Sequence, residues 1–130
     1  EFPSDDSRLL ESMISHGKII YLLEVFLPDY KMNEILSYTE EQFAWCEEHE
    51  RKIWHSIVEN KELYSTDWRT IMKYTQPAPF TNGYSQEFSP GRLGVYMGWK
   101  IVSSFMKAHK NLTLSDLMAV ADAQEIMRYY

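Results

Sequence analysis

The stretch SPGRLGVYMGWKIV, residues 89–102, decides the fold of this 130-residue chain. It begins with Ser-Pro, a favoured helix start, because serine caps a helix and proline suits the first helical position. The apolar spacing then predicts a helix to about His109. Gly91, Gly94 and Gly98 fall on roughly one side of that helix. Each glycine costs about 1 kcal/mol relative to alanine, so we expect compensation from tight packing against another backbone rather than from a bound ligand.

The composition indicates one acidic, globular domain. The chain is 45% apolar and 15% aromatic, which is enough material for a hydrophobic core, and its net charge is −6. That charge argues against a nucleic-acid binder, which needs a basic surface, and against docking on anionic lipid by charge alone. Cys46 is the single cysteine. An intramolecular disulfide and a cysteine-rich zinc site are therefore excluded, and we interpret Cys46 as a buried core residue.

Capping residues and apolar spacing predict the remaining helices, while no segment alternates as a strand does. The first predicted helix covers residues 4–27 and is capped by Ser4, Asp5 or Asp6. The second runs from Thr39 to about Asn60, with Gln42 completing a capping box. Further helices are predicted over residues 68–74, where Asp67 is the cap, and over residues 117–120 and 125–128. Residues 29–38 are predicted to be a loop. The fold class is therefore all-α, a compact orthogonal helical bundle of about five to six helices, with 1–130 as a single helical domain.

One long irregular segment, residues 76–88, interrupts the helical pattern. Two prolines and an Asn-Gly pair forbid a helix there, and long loops inside compact domains are often functional. Phe80, Tyr84 and Phe88 either pin this loop to the core or line a site. A pocket between the loop and the Gly94–Gly98 face would support a small-molecule-binding helical domain, which is one alternative function.

Two features resemble functional motifs, but their spacing or position excludes the metal site and the phosphate loop that they suggest. His49-Glu50 lacks a second histidine four residues on, and His55 lies about 240° further around the helix, so the two cannot chelate one ion. The Gly-Arg-Leu-Gly run at residues 91–94 is not a phosphate loop, because it lies inside the predicted helix rather than ahead of it. His16 is a lone histidine on the first predicted helix, where a structural role is the usual one.

Several blocks in the same order resemble the gliding-motility lipoprotein B (GldB) family of Bacteroidetes. The resemblance runs from about residue 8 to residue 128, and the blocks are residues 13–21, 27–29, 45–50, 63–67, 77–80, 89–94 and 98–102. It implies a lipid-anchored envelope component associated with gliding and with protein secretion. The expected location is the periplasm or the outer membrane, with membrane contact through an upstream lipid anchor only. The expected partners are cell-envelope proteins of the gliding and secretion machinery, with no nucleic acid.

The family also resembles predicted zinc-dependent peptidases with a His-Glu-x-x-His helix. That resemblance implies His16, or alternatively Glu11, as a third metal ligand, and Arg92 and Tyr96 as contacts in a cleft. This chain has no His-Glu-x-x-His, so we expect no catalysis and no cofactor in it alone, with zinc only in the full-length protein. We interpret the chain as the C-terminal part of a longer lipoprotein. The alternative is half of an active zinc-dependent peptidase whose motif lies upstream.

Overall fold

Seven helices make up the fold in the computed structural model, which describes residues 8–130. Their bounds are α1 Leu9–Phe26, α2 Met32–Leu36, α3 Glu40–Glu59, α4 Trp68–Thr75, α5 Leu93–Ala108, α6 Leu114–Ala119 and α7 Ala123–Met127. These residues contain no strand. The all-α prediction is confirmed, with seven helices where five to six were expected.

Helix α5 runs through the centre of the bundle and is buried along most of its length. It packs along α1, and α3, α4 and α7 also contact it. A Cβ on Gly98 would overlap the backbone carbonyl of Met13, and one on Gly17 would overlap the carbonyl of Gly98. A Cβ on Gly94 would lie 2.7 Å from the Tyr74 Cβ. The glycines therefore let backbones touch, which confirms packing as their role.

The predicted helix caps at Thr39 and Asp67 are confirmed, whereas Ser89 does not cap α5. The Thr39 hydroxyl accepts from the Gln42 N–H at 3.0 Å, and the Gln42 side chain accepts from the Thr39 N–H at 2.9 Å. The carboxylate of Asp67 accepts from the Arg69 N–H at 3.0 Å at the start of α4. Side-chain caps of this kind satisfy backbone donors that have no partner within the helix. The predicted caps at Ser4, Asp5 and Asp6 lie outside the described residues.

The prediction of a loop over residues 29–38 is wrong, because α2 occupies the middle of that segment. The Lys31 N–H donates to the Glu34 side chain at 2.8 Å, which stabilises the first turn. Leu36 is fully buried at the other end, and Ser37 then ends the helix in the left-handed region with φ 61°. Tertiary burial of one leucine thus stabilises a five-residue helix whose sequence signal is weak.

The predicted start of α5 at Ser89-Pro90 is also wrong, because the helix begins at Leu93. The Ser89 hydroxyl donates to the Ser85 carbonyl at 2.5 Å, and the Pro90 carbonyl accepts from the Thr81 hydroxyl at 2.8 Å. Gly91 lies against the Ala78 backbone, and Arg92 is left-handed with φ 57°. Loop contacts therefore hold these residues outside the helix. Gly91 and Arg92 lie ahead of α5, whereas Leu93 and Gly94 lie within it, so the prediction that the whole Gly-Arg-Leu-Gly run is helical is wrong.

Replacing Gly98 with alanine tests the α1–α5 contact. We expect Gly98→Ala to lower the free energy of unfolding by at least about 2 kcal/mol, because the new methyl group meets the backbone of α1 rather than a flexible side chain. Urea denaturation followed by circular dichroism measures this change. Ser104→Ala, at a half-buried position of the same helix, is the control and should stay within about 0.5 kcal/mol of the parent. Equal stability of Gly98→Ala and the parent would contradict the packing.

Candidate functional site

A cavity of about 380 Å³ opens where three separate segments meet. The turn between α2 and α3, the beginning of the 76–88 loop and the segment ahead of α5 form its walls. The lining residues are Ser37, Tyr38, Gln42, Pro77, Ala78, Pro90, Gly91 and Arg92. Cavities of this size are typical of small ligand sites, which makes this cavity the candidate functional site.

Tyr38 positions Arg92 at the wall of the cavity. The buried Tyr38 hydroxyl lies 2.9 Å from the carbonyl oxygens of both Gly91 and Arg92, to which it donates. The Arg92 guanidinium donates to the Leu36 carbonyl, and it lies 5.9 Å from the centroid of the Tyr38 ring. This second contact is within the range of a cation–π interaction. The arginine is therefore held from its backbone and from its side chain by the α2–α3 turn.

Among residues 8–130, the lining of the cavity carries one positive charge and no carboxylate. Gln42 accepts from the Thr39 N–H through Oε1, so its two amide N–H donors remain for another partner. A second cavity of about 700 Å³, along residues 58–67, carries both Lys61 and Asp67, so opposite charges share its wall. The cavity at Arg92 is distinguished by a single positive charge and by the free side-chain N–H donors of Arg92 and Gln42.

A second polar cluster anchors the 76–88 loop to the core. The Tyr74 hydroxyl donates to Glu62 Oε1 at 2.5 Å, and Lys73 Nζ lies 2.6 Å from Glu62 Oε2. Because Tyr74 has one proton, the Tyr84 hydroxyl at 2.9 Å must donate to the Tyr74 oxygen. Burial, with the hydrogen bond to Glu62, raises the pKa of Tyr74. Tyr84 thus pins the loop, whereas Phe88 is exposed.

Tyr96, predicted to lie in a cleft with Arg92, is not among the residues that line the cavity. Its ring is fully buried and packs against Phe43 and Trp99 at centroid distances of 6.2 and 5.9 Å. Burial, with Glu50 nearby, raises the pKa of the Tyr96 hydroxyl, which has no hydrogen-bond partner among the described residues. The structure therefore assigns Tyr96 to the core between α3 and α5.

The two candidate zinc ligands lie on different sides of α1. His16 is half-buried, one residue before the Gly17 contact with α5, and its Nδ1 lies 2.8 Å from the Ser12 carbonyl oxygen. Glu11, five residues earlier and thus about 140° around the helix, forms an ion pair of 2.6 Å with Arg8. Burial alone would raise the pKa of Glu11, but the hydrogen bonds from Arg8 lower it overall. His16 and Glu11 therefore cannot bind one ion together.

No three histidine, cysteine or acidic side chains within residues 8–130 lie close enough to hold a metal ion. His16 would therefore need further ligands from outside the described residues to hold a zinc ion. The glycine face named above is likewise not a pocket, because Tyr74 and Met13 cover Gly94 and Gly98. The observed cavity lies at Gly91 instead. The composition of the 76–88 loop and the Gly91-Arg92 pair indicated two walls of this cavity in the sequence. Nothing in the local sequence indicated that residues 37–42 form the third wall.

Removing the Tyr74 hydroxyl tests the polar cluster. We expect Tyr74→Phe to lower the free energy of unfolding by about 2 kcal/mol, because Oε1 of the mostly buried Glu62 carboxylate loses its donor and only the contact of Oε2 with Lys73 is kept. Tyr84→Phe removes only the hydroxyl that donates to Tyr74 and should lower the free energy of unfolding by less than about 1 kcal/mol. Chemical denaturation of both variants gives the comparison. A larger loss for Tyr84→Phe would contradict the order of donors described here.

The reactivity of Cys46 tests its assignment to the core. The side chain is fully buried, and burial raises the pKa of its thiol to about 12. At pH 8 the folded protein should therefore react with a thiol-specific disulfide reagent at least about a hundredfold more slowly than the urea-unfolded protein, since the thiolate is the nucleophile. Equal rates in the folded and unfolded protein would show that Cys46 is accessible.

A scan against protein families matches residues 1–129 to the family described as gliding motility protein GldB. A search of the curated proteins found no match, and a search of the solved structures found none. Within residues 8–130, every helix is too short or too polar to cross a membrane. The relationship to zinc peptidases stays a prediction. The match covers almost the whole chain, which confirms the family inferred from the sequence blocks: this chain belongs to the GldB family of gliding-motility lipoproteins.

Proposed function

We propose that this domain serves the gliding-motility machinery of the cell envelope as a binding module, with the cavity beside Arg92 as its recognition site. Membership of the GldB family supports the connection to motility. The observation that carries the binding role is the cavity itself, where three segments of the chain meet and Arg92 is the charged residue of the described lining. Catalysis by this domain alone is not part of the proposal.

The proposed location is the periplasm or the outer membrane, where the domain would be held by a lipid anchor upstream of these residues. A net charge of −6 opposes direct attraction to anionic lipid, which favours a tether over a charged membrane surface. The proposed partners are proteins of the gliding and secretion machinery. The outer side of α1 supports protein contact, because Ile19, Leu23 and Phe26 are exposed there in consecutive turns, and exposed apolar clusters are typical of interaction surfaces.

Removing the charge of Arg92 in the cell tests the proposed function. We expect Arg92→Gln to abolish or strongly reduce colony spreading while the abundance of the lipoprotein stays unchanged. Glutamine keeps a side-chain N–H donor for the Leu36 carbonyl, so the fold should be retained. Single-cell gliding speed and immunoblotting give the two readouts.

The matched control for that experiment is Arg69→Gln. Arg69 is an exposed arginine on α4 that does not line the cavity. Arg69→Gln removes the same charge from the chain as Arg92→Gln, so an effect of net charge would appear in both variants. Normal gliding of Arg92→Gln at normal protein abundance would refute the cavity as the recognition site.

Half of a zinc-peptidase site is the alternative function, and the hydrogen bonding of His16 is compatible with it. The Ser12 carbonyl engages His16 Nδ1, which leaves Nε2 as the free ring nitrogen, as in many zinc-binding histidines. His49 and His109 make the same contact with the carbonyl four residues earlier. The arrangement is therefore common to helical histidines and does not single out a ligand.

Zinc content of the full-length lipoprotein tests this alternative. If His16 is the third ligand, about one zinc ion per chain should be present and should be lost in His16→Ala, since each protein ligand of such a site is needed for tight binding. Glu11→Ala is the comparison, and loss of zinc in that variant alone would assign the ligand to Glu11. Equal zinc in all three proteins, or none in any of them, would contradict both assignments.

A further inference from the structure

We infer that the cavity beside Arg92 binds a carboxylate group of a partner polypeptide, with the Arg92 guanidinium as the group that receives it. This inference rests on the proposed function and names the chemistry of its ligand. It follows from three properties of the described residues, namely the donors at the wall, the charge of the wall and the apolar surfaces beside them.

The wall offers free side-chain N–H donors from two residues, Arg92 and Gln42. A guanidinium has five N–H donors, and one contact of Arg92, with the Leu36 carbonyl, is already made inside the protein. Gln42 uses its oxygen on the Thr39 N–H and keeps its amide donors. The Tyr38 hydroxyl is occupied by the carbonyls of Gly91 and Arg92. A ligand that binds these two side chains therefore presents acceptors to them.

The charge of the wall favours a single negative charge on the ligand. Arg92 is its one charged residue, in a chain with 19 acidic and 13 basic side chains. A carboxylate matches one guanidinium in charge and in its paired oxygen geometry. A phosphate group would bring a second negative charge for which the wall has no second cation. The comparison of charges thus favours a carboxylate over a phosphate.

The remaining wall fits the apolar part of a peptide. Pro77, Ala78 and Pro90 lie beside Arg92, and the two prolines have no N–H group that would need a partner when a ligand covers them. The cavity of about 380 Å³ is larger than a carboxylate group alone. It therefore has room for the hydrocarbon part of the residue that carries the carboxylate.

Binding of short peptides to the isotope-labelled protein tests the inference by NMR titration. Three tripeptides of otherwise equal sequence are the probes. One ends in a free carboxylate, one carries a glutamate between blocked ends, and one is blocked and neutral. We expect at least one carboxylate peptide to bind about tenfold or more tightly than the neutral one and to shift the side-chain signals of Arg92 and Gln42. The tighter of the two identifies the source of the carboxylate, a chain terminus or an acidic side chain.

Variants of the same protein assign the binding to the cavity. Arg92→Gln should weaken the carboxylate peptide about tenfold, whereas Arg69→Gln should leave its affinity unchanged. The inference is overturned if the neutral peptide binds as tightly as both others, if none of the peptides binds, if Arg92→Gln has no effect, or if inorganic phosphate binds more tightly than either carboxylate peptide.

The peptide titration and the gliding assay separate this inference from the proposed function. If no peptide binds but Arg92→Gln still stops gliding, the carboxylate is wrong and the recognition site stands. If a carboxylate peptide binds through Arg92 but Arg92→Gln glides normally, the ligand chemistry stands and the role of the cavity in motility is wrong.

Discussion

The backbone contact between α1 and α5 is the constraint on which the rest of the structure depends. Gly17 and Gly98 allow the two helices to approach until the main chain of one touches the main chain of the other. A contact this close fixes the relative height and angle of the helices, because neither side has a flexible side chain that could adjust. Helices α3, α4 and α7 then pack against α5, which is buried along most of its length.

Fixing α5 also fixes the segment that precedes it. Gly91 lies against the Ala78 backbone, and Arg92 adopts a left-handed conformation that costs an ordinary residue about 1–2 kcal/mol. The hydrogen bonds from the Tyr38 hydroxyl to both carbonyls help to offset this cost. The result is a cavity whose arginine is held in place before any ligand arrives. Such preorganisation lowers the entropy that binding would otherwise cost.

Local signals in the sequence predict the helices better than they predict the site. The capping box at Thr39, the cap at Asp67 and the glycine spacing on α5 are properties of neighbouring residues, and the structure confirms them. The predicted start of α5 was wrong because the groups that hold residues 89–92 outside the helix lie elsewhere in the chain. Tyr38, for example, reaches Gly91 across 53 residues of sequence, and no periodicity within a helix contains that information.

The same limit explains the candidate site residues. Arg92 and Tyr96 are four residues apart, a spacing typical of one helix face, yet Arg92 lies ahead of the helix and Tyr96 lies in its buried interior. The different surroundings of the two side chains follow from the contacts that hold residues 90–92 outside the helix and not from residue type.

The central claim is that the cavity beside Arg92 binds a carboxylate, and a crystal structure of the protein with a carboxylate peptide bound tests it most directly. The account predicts peptide oxygens within hydrogen-bond distance of the Arg92 guanidinium, with Pro77 and Pro90 beside the peptide. A peptide bound elsewhere, with the cavity left empty, would contradict it.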